Sequence, residues 1–178
     1  MEKNRQGLLH IYCGDGKGKT SAAVGMAVRA AGCGMKVLVI RFLKTENSGE
    51  VEVLRSIPGI TVPPCERTFG FVFRMTEEQK QEAALYYQSR FEAAAKEAVQ
   101  GQYDLLILDE ILASCNYGMV RETSVVEFLQ NRPEKLEVVL TGRNPSETFL
   151  ELADYVSEIH MRRHPYEKGI PARRGIEF

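Results

Sequence analysis

The sequence predicts an α/β fold in which a mostly parallel sheet is covered by helices on both faces. Two observations carry this. Strand-like apolar runs alternate with helix-like runs along the whole length, and the runs at 36–42 and 103–108 have continuous apolar centres, Val37-Leu38-Val39-Ile40 and Leu105-Leu106-Ile107-Leu108, without the polar alternation of a half-exposed strand. A third observation sharpens it. Chemically distinctive residues fall where such runs stop, at 13–21, at Asp109-Glu110 and at Thr141-Gly142-Arg143. Ligands of open parallel sheets bind at the carboxyl ends of strands.

The first element is a strand built from Leu8, Leu9, Ile11 and Tyr12. It runs into Cys13-Gly14-Asp15-Gly16-Lys17-Gly18-Lys19-Thr20-Ser21, and a small-residue helix follows, with Ala22, Ala23, Val24, Met26, Ala27 and Val28, ending near Gly32 and Gly34. Strand, glycine loop, Gly-Lys-Thr and helix in that order is the setting of a phosphate-binding loop. Glycines let backbone N–H groups turn inward, and the helix start adds partial positive charge. Lys19 would reach phosphate oxygens and the Thr20 hydroxyl would hold a divalent metal. The strict spacing asks for glycine where Cys13 stands; the dense Gly14-x-Gly16-x-Gly18 series is expected to compensate. The competing account is a glycine-rich turn with a surface lysine.

Next come a buried strand at 36–42, a polar loop at 45–49, and a short helix carrying Val51, Val53 and Leu54 that closes before Pro58-Gly59. Ile60-Thr61-Val62 reads as a strand. Pro63-Pro64 opens an irregular segment through Arg74 that holds Phe69, Phe71 and Phe73, for which core burial is the first expectation and a ligand wall the second. Thr76-Glu77-Glu78-Gln79 fits a capping box opening a long helix to about Gly101, with Ala83, Tyr87, Phe91, Ala94 and Ala98 toward one face. The buried strand at 103–108 ends in Asp109-Glu110. A helix at 124–129 stops before Pro133, and Val138-Val139-Leu140 is the next strand. Asn144-Pro145-Ser146-Glu147 reads as a helix start with Pro at the first helical position. A last strand at about 155–161 precedes a tail rich in Arg, Pro and Gly.

Bulk properties narrow the classes. The 178 residues form a single domain with room for a sizeable core. Lys and Arg number 23 against 24 acidic residues, so no global charge points to nucleic acid. The basic tail, with Arg162, Arg163, Arg173 and Arg174, lacks interleaved aromatics and reads as a solvated face. No apolar run approaches membrane-spanning length and the amino terminus is polar, so a cytoplasmic protein is expected. Cys13, Cys33, Cys65 and Cys115 form no Cys-x-x-Cys pair and read as free thiols. His160 and His164 have helical ligand spacing but fall where a strand ends, so no metal is expected there.

The chemistry then follows from the strand ends. Leu105-Leu106-Ile107-Leu108-Asp109-Glu110 reads as a second nucleotide motif in which Asp109 or Glu110 serves a metal directly or through water. An acidic pair capping the next turn is the alternative. Arg143 is placed to clamp phosphate oxygens, or else to form a structural ion pair. These residues by themselves point to an enzyme of nucleoside triphosphates. A small-molecule kinase and a motor-type ATPase both fit; a GTPase does not, because no Asn-Lys-x-Asp guanine signature occurs.

The combined motifs resemble the P-loop type of ATP:corrinoid adenosyltransferase. Gly14-Asp15-Gly16-Lys17-Gly18-Lys19-Thr20 is similar to that family's Gly-Asn-Gly-Lys-Gly-Lys-Thr, including the non-glycine before it. The likeness continues in Ala27-Val28-Arg29-Ala30-Ala31-Gly32, Arg41-Phe42-Leu43-Lys44, Gly70-Phe71, Leu108-Asp109-Glu110, Thr141-Gly142-Arg143 and Leu152-Ala153-Asp154. It closes with Gly175-Ile176-Glu177-Phe178, a far more specific motif than the loop. The resemblance implies a single-domain P-loop, RecA-like fold and transfer of the 5′-deoxyadenosyl group from ATP to the cobalt of a reduced corrinoid, releasing triphosphate. It implies ATP held reversed relative to ordinary P-loop enzymes, with magnesium (or manganese) bound by Thr20, Asp109 and Glu110. Nucleotide is implied to meet residues 14–18, Lys19, Thr20, Ser21, Arg29 and Arg143. Catalytic roles are implied for Lys19, Glu110, Phe71 and Phe73, the two aromatics displacing the lower axial ligand of cobalt(II); this moves Phe71 out of the expected core, though not Phe69. A homodimer and an electron-donating flavoprotein are implied as well. Asp15 departs from the family's frequent Asn, adding a negative charge to be offset by Lys17, Lys19 or metal. The short amino terminus implies that a cover over the corrinoid comes from elsewhere or is absent.

Overall fold

Fully apolar strands are stable only when both sheet faces are covered, and the computed structural model, which describes residues 6–70 and 72–177, is arranged on that condition. In chain order the elements are β1 (Leu9–Cys13), α1 (Lys19–Gly32), β2 (Val37–Arg41), α2 (Glu50–Ser56), β3 (Ile60–Thr61), a 3₁₀ turn at Val72–Arg74, α3 (Glu77–Gln100) and β4 (Leu105–Asp109). Then follow α4 (Ile111–Asn116), α5 (Glu122–Asn131), β5 (Glu137–Thr141), α6 (Glu147–Leu152), β6 (Tyr155–Glu158) and a second 3₁₀ turn at Pro165–Lys168. The six strands lie in the order β3-β2-β4-β5-β1-β6, all neighbours parallel.

Period-two alternation divides the apolar strand residues between two cores. Leu38, Ile40, Leu106, Leu108, Val138 and Leu140 join the core under α3, where Ala83, Tyr87, Phe91, Ala94 and Ala98 form the buried stripe. Val37, Val39, Leu105, Ile107 and Val139 face α1 and α2. Ala23, Ala27 and Ala30 are the buried residues of α1 after Lys19, and their small side chains let the helix lie close to the sheet. The capping box is present: the Gln79 amide donates to Thr76 Oγ1 at 3.3 Å and the Thr76 amide donates to Gln79 Oε1 at 2.9 Å.

Three expectations need correction. The helix α4 was not expected, because Glu110 enters it in left-handed backbone (φ 63) with no side-chain cap, leaving no start signal in the sequence. Pro145 does not open α6. Ser146 is the capping residue, its hydroxyl accepting from the Phe149 amide at 3.4 Å, so Pro145 lies one step outside the helix. The last strand stops at Glu158 rather than near Met161, because Ile159 and Met161 spend their backbone groups on the loop after β1.

This wiring sets the carboxyl ends of β2, β4, β5, β1 and β6 side by side along one edge, with the glycine loop that follows β1 between the ends of β5 and β6. Among the described residues no helix is long and apolar enough to cross a membrane. Thr76→Ala removes the cap of the longest helix and is expected to cost about 1 kcal/mol of stability. Urea unfolding checks this: the midpoint falls with an unchanged slope.

Candidate active site

At the edge just described, the loop is shaped by its neighbours. Gly14 and Gly18 have φ of 100 and 125, values side chains rarely adopt. A Cβ on Gly14 would lie 2.4 Å from the Ile159 carbonyl oxygen, and one on Gly16 would lie 2.7 Å from the same atom. That carbonyl accepts from the Gly16 amide at 2.7 Å. Cys13 needs no glycine, because it is the last residue of β1 and points into the core. Burial also pushes its thiol above the ordinary cysteine pKa.

Lys19 opens α1 with its ammonium turned into the loop, donating to the carbonyls of Gly14 and Gly16, each at 2.8 Å. It is 8% exposed. Burial lowers its pKa and the Glu110 carboxylate works against that shift. Thr20 donates from Oγ1 to Asp109 Oδ1 at 3.0 Å, and the Thr141 hydroxyl donates to the same oxygen at 2.7 Å. The Lys44 ammonium closes the group, donating to Thr20 Oγ1 at 2.8 Å and to Asp109 Oδ2. Glu110 is half-buried beside them, its amide donating to Thr141 Oγ1 at 2.9 Å. Burial raises its pKa, as does Asp109, while Lys44, Lys19 and Arg143 pull the other way.

The structure thus brings together Lys19, Thr20, Asp109 and Glu110 around the loop, with Arg143 close enough to act electrostatically on Lys19, Glu110 and Asp15. Asp15 is exposed and its Oδ1 accepts from the Met161 amide at 2.9 Å, a bond that lowers its pKa. Of the lysines expected to offset it, Lys19 acts on it, whereas Lys17 turns to Glu177 at 3.0 Å. Ser21 is exposed in the first turn of α1. Arg29 is not brought to the loop. It lies in the last turn of α1, about 15 Å along the axis from Lys19 at 1.5 Å per residue, beside Gly25, Met26 and Cys33. Phe69 packs on Tyr86 and Tyr87 at 5.6 and 5.8 Å, as a core residue would. Phe73 is 78% exposed in the 3₁₀ turn, and Phe71 lies outside the described residues.

Oxygen donors fit a divalent cation. Thr20 and Asp109, with Glu110 adjacent, are hard ligands, and no cluster of three or more His, Cys, Asp or Glu residues suited to a metal occurs among the described residues. An ion there would complete its shell with phosphate oxygens and water, the habit of magnesium.

The glycine-loop and strand-end pattern agrees with the sequence comparisons. The family model for ATP:corrinoid adenosyltransferase BtuR/CobO/CobP matches residues 5–178. The chain belongs to that family. The corrinoid adenosyltransferase of Pseudomonas aeruginosa is 32% identical over 99% of this chain and 86% of its own length. That of Escherichia coli K12 is 32% identical over 99% of this chain and 88% of its own. Corrinoid adenosyltransferase CobA of Salmonella typhimurium is 30% identical with the same coverage, 99% and 88%. Among solved structures, ATPases 2 and 3 of EssC from Geobacillus thermodenitrificans superpose with a TM-score of 0.51 at 11% identity. That match covers 96% of this chain and 36% of the EssC chain, and it shows the fold alone.

Sequence reasoning did not single out Lys44, Thr141 or Glu177 as site residues, although each lies in a motif of the resemblance. Glu177 ties the tail to the loop, accepting from Lys17 and Arg173. Those bonds, Arg173 first, hold its carboxyl at about 2, below the ordinary 4.5. A carboxyl with a lowered folded pKa favours this arrangement of the tail, mostly its own Arg173–Glu177 turn, fully above pH 4.5, and that contribution is lost as pH falls toward about 2. Glu177→Gln is therefore expected to loosen the Arg173–Glu177 turn at neutral pH, read as faster trypsin cleavage at Arg173 and Arg174. In the unmodified chain the Arg173 amide resonance is expected to titrate near pH 2.

Proposed function

We propose that this chain transfers the 5′-deoxyadenosyl group of ATP to the cobalt of a reduced corrinoid, cob(I)alamin or a biosynthetic precursor, and releases triphosphate. ATP-dependent adenosylation of a corrinoid is the family's general reaction. The observation that carries the finer reading is the enclosure of the Lys19 ammonium by the glycine loop next to the Thr20–Asp109 pair. That arrangement suits a polyanionic leaving group.

The nucleophile belongs to the corrinoid, so no protein base has to generate it. The cobalt electron pair attacks C5′, the C5′–O bond breaks, and its electrons leave on triphosphate. The chain's share is alignment and charge stabilisation. Loop backbone N–H groups other than that of Gly16, which is held by Ile159, and the start of α1 receive phosphate oxygens. Lys19 neutralises the leaving group, and Arg143 is placed to clamp it from the end of β5. Thr20, Asp109 and Glu110 would hold magnesium or manganese, which supplies further neutralisation of the triphosphate when bound. Ser21 continues the helix start beneath the phosphates. Arg29, about 15 Å along α1 from Lys19 at 1.5 Å per residue, is assigned to a part of the nucleotide other than the phosphates in this loop, on the resemblance alone.

The exposed ring of Phe73 supports the remaining step. An aromatic side chain open to solvent can lie against a flat macrocycle and displace the lower axial ligand, making cobalt(II) easier to reduce. Phe71 is assigned the same role on the resemblance alone. A reduced flavoprotein as electron donor, a homodimer, a cytoplasmic setting and one catalytic domain over 1–178 complete the proposal on the same ground.

The decisive assay is the phosphate product. Triphosphate formed with a light-sensitive cobalt–carbon bond supports the reading, whereas ADP or orthophosphate overturns it. Lys19→Ala is expected to lower turnover at least about 100-fold, the scale of losing one charge-stabilising donor, while the circular dichroism spectrum is kept. Phe73→Ala is expected to slow the reaction from cobalt(II) far more than that from pre-reduced cobalt(I), and equal losses in the two assays would remove its role.

A further inference from the structure

We infer that Lys44 is the exchangeable counter-ion of the Thr20–Asp109 pair. Its ammonium and a divalent cation compete for the same oxygens, and the incoming cation hands the ammonium over to the polyphosphate. This positioning role rests on the metal assignment made above and deepens it.

The oxygen inventory leads to it. Asp109 is 2% exposed, and its Oδ1 already accepts from the Thr20 and Thr141 hydroxyls. Its Oδ2 accepts from Lys44. The Thr20 hydroxyl gives its proton to Asp109 and accepts from Lys44 at 2.8 Å. A cation bound by Thr20 Oγ1 and Asp109 therefore has to approach the same two oxygens, Thr20 Oγ1 and Asp109 Oδ2, on which the ammonium already sits. Two like charges sharing those atoms repel strongly in a site so little exposed. Binding of one requires departure of the other.

The ammonium is held from a built support. Leu43 takes left-handed backbone (φ 53), which bends the chain at the end of β2 and turns Lys44 back toward α1. Arg41, fully buried, fixes the following residues by donating to the Thr45 carbonyl and to Glu46 Oε1, both at 2.8 Å. Arg55 holds the other Glu46 oxygen at 2.9 Å. With this backbone clamped, exchange involves rotation of one side chain, and the Lys44 side chain is 20% exposed, so it has room to leave. Wherever it swings it stays within a side chain's reach of Thr20, at the helix start where phosphate collects. Removing a lysine that served only as a structural ion pair would also leave an Asp109 charge that attracts a cation, but such a lysine would make no contact with polyphosphate.

The test is nucleotide-free titration with Mn²⁺, read by electron paramagnetic resonance of the free ion. Lys44→Met is expected to bind Mn²⁺ on the order of tenfold more tightly than the unmodified chain, since a competing unit charge is gone. Lys44→Arg, which keeps the charge, is expected to stay near the unmodified value. Calorimetric titration with inorganic tripolyphosphate in saturating Mn²⁺ is expected to show on the order of tenfold weaker binding for Lys44→Met, from loss of one phosphate contact. Asp109→Asn separates the two ideas. If it weakens Mn²⁺ binding while Lys44→Met leaves it unchanged, the exchange is overturned and the metal assignment stands. If Asp109→Asn leaves Mn²⁺ binding unaffected, the metal assignment falls and the exchange falls with it. Should Lys44→Met fail to fold, Lys44→Gln replaces it with the same expected directions.

Discussion

The carboxylate of Asp109 is the atom group on which the site depends. A buried charge is costly unless paired and hydrogen-bonded, and this one is satisfied by residues from three other places in the chain: Thr20 on α1, Thr141 at the end of β5 and Lys44 after β2. Each bond reaches across the sheet edge, so the carboxylate fixes the spacing between the phosphate loop and the adjacent strand ends. The same Thr141 hydroxyl accepts from the Glu110 amide, which holds the left-handed turn into α4 and with it the direction of Glu110. Chemistry and architecture share these atoms.

A second constraint acts from the other side of the loop. The end of β6 runs so close to Gly14 and Gly16 that neither tolerates a side chain, and the loop is clipped in place by the Gly16 amide donating to the Ile159 carbonyl and the Met161 amide donating to the Asp15 carboxylate. The tail adds Glu177, which engages Lys17. Asp15 is thereby explained as a structural acceptor, its charge met by an amide on the outer side of the loop rather than by Lys17. Between the carboxylate on one side and the strand end on the other, the loop amides and Lys19 are held in a fixed frame, the condition for electrostatic stabilisation without reorganisation.

Most of the fold was legible because its signals are local. The apolar runs that became β2 and β4 show the composition of doubly covered strands, and Thr76 with Gln79 spells out a helix start. Where a local signal was weak or ambiguous, the reading slipped. The six residues of α4 are too few for periodicity and follow a residue in left-handed backbone. Pro145 and Ser146 are both start signals, and the hydroxyl, able to accept the Phe149 amide, takes the capping position. Arg29 shares a helix with the phosphate loop in sequence, yet a helix rises steadily along its axis, and ten residues set its backbone about 15 Å from that of Lys19.

By itself the sequence determined the glycine loop, the alternation of strands and helices, and the acidic pair at the end of β4, since each is written in neighbouring residues whose backbone preferences and burial are set locally. Only the tertiary structure decided which distant groups meet there. Lys44 reaches Asp109 across 65 positions and Met161 reaches Asp15 across 146. The physical reason is the crossover order of a parallel sheet, which seats strand ends side by side without regard to their separation along the chain.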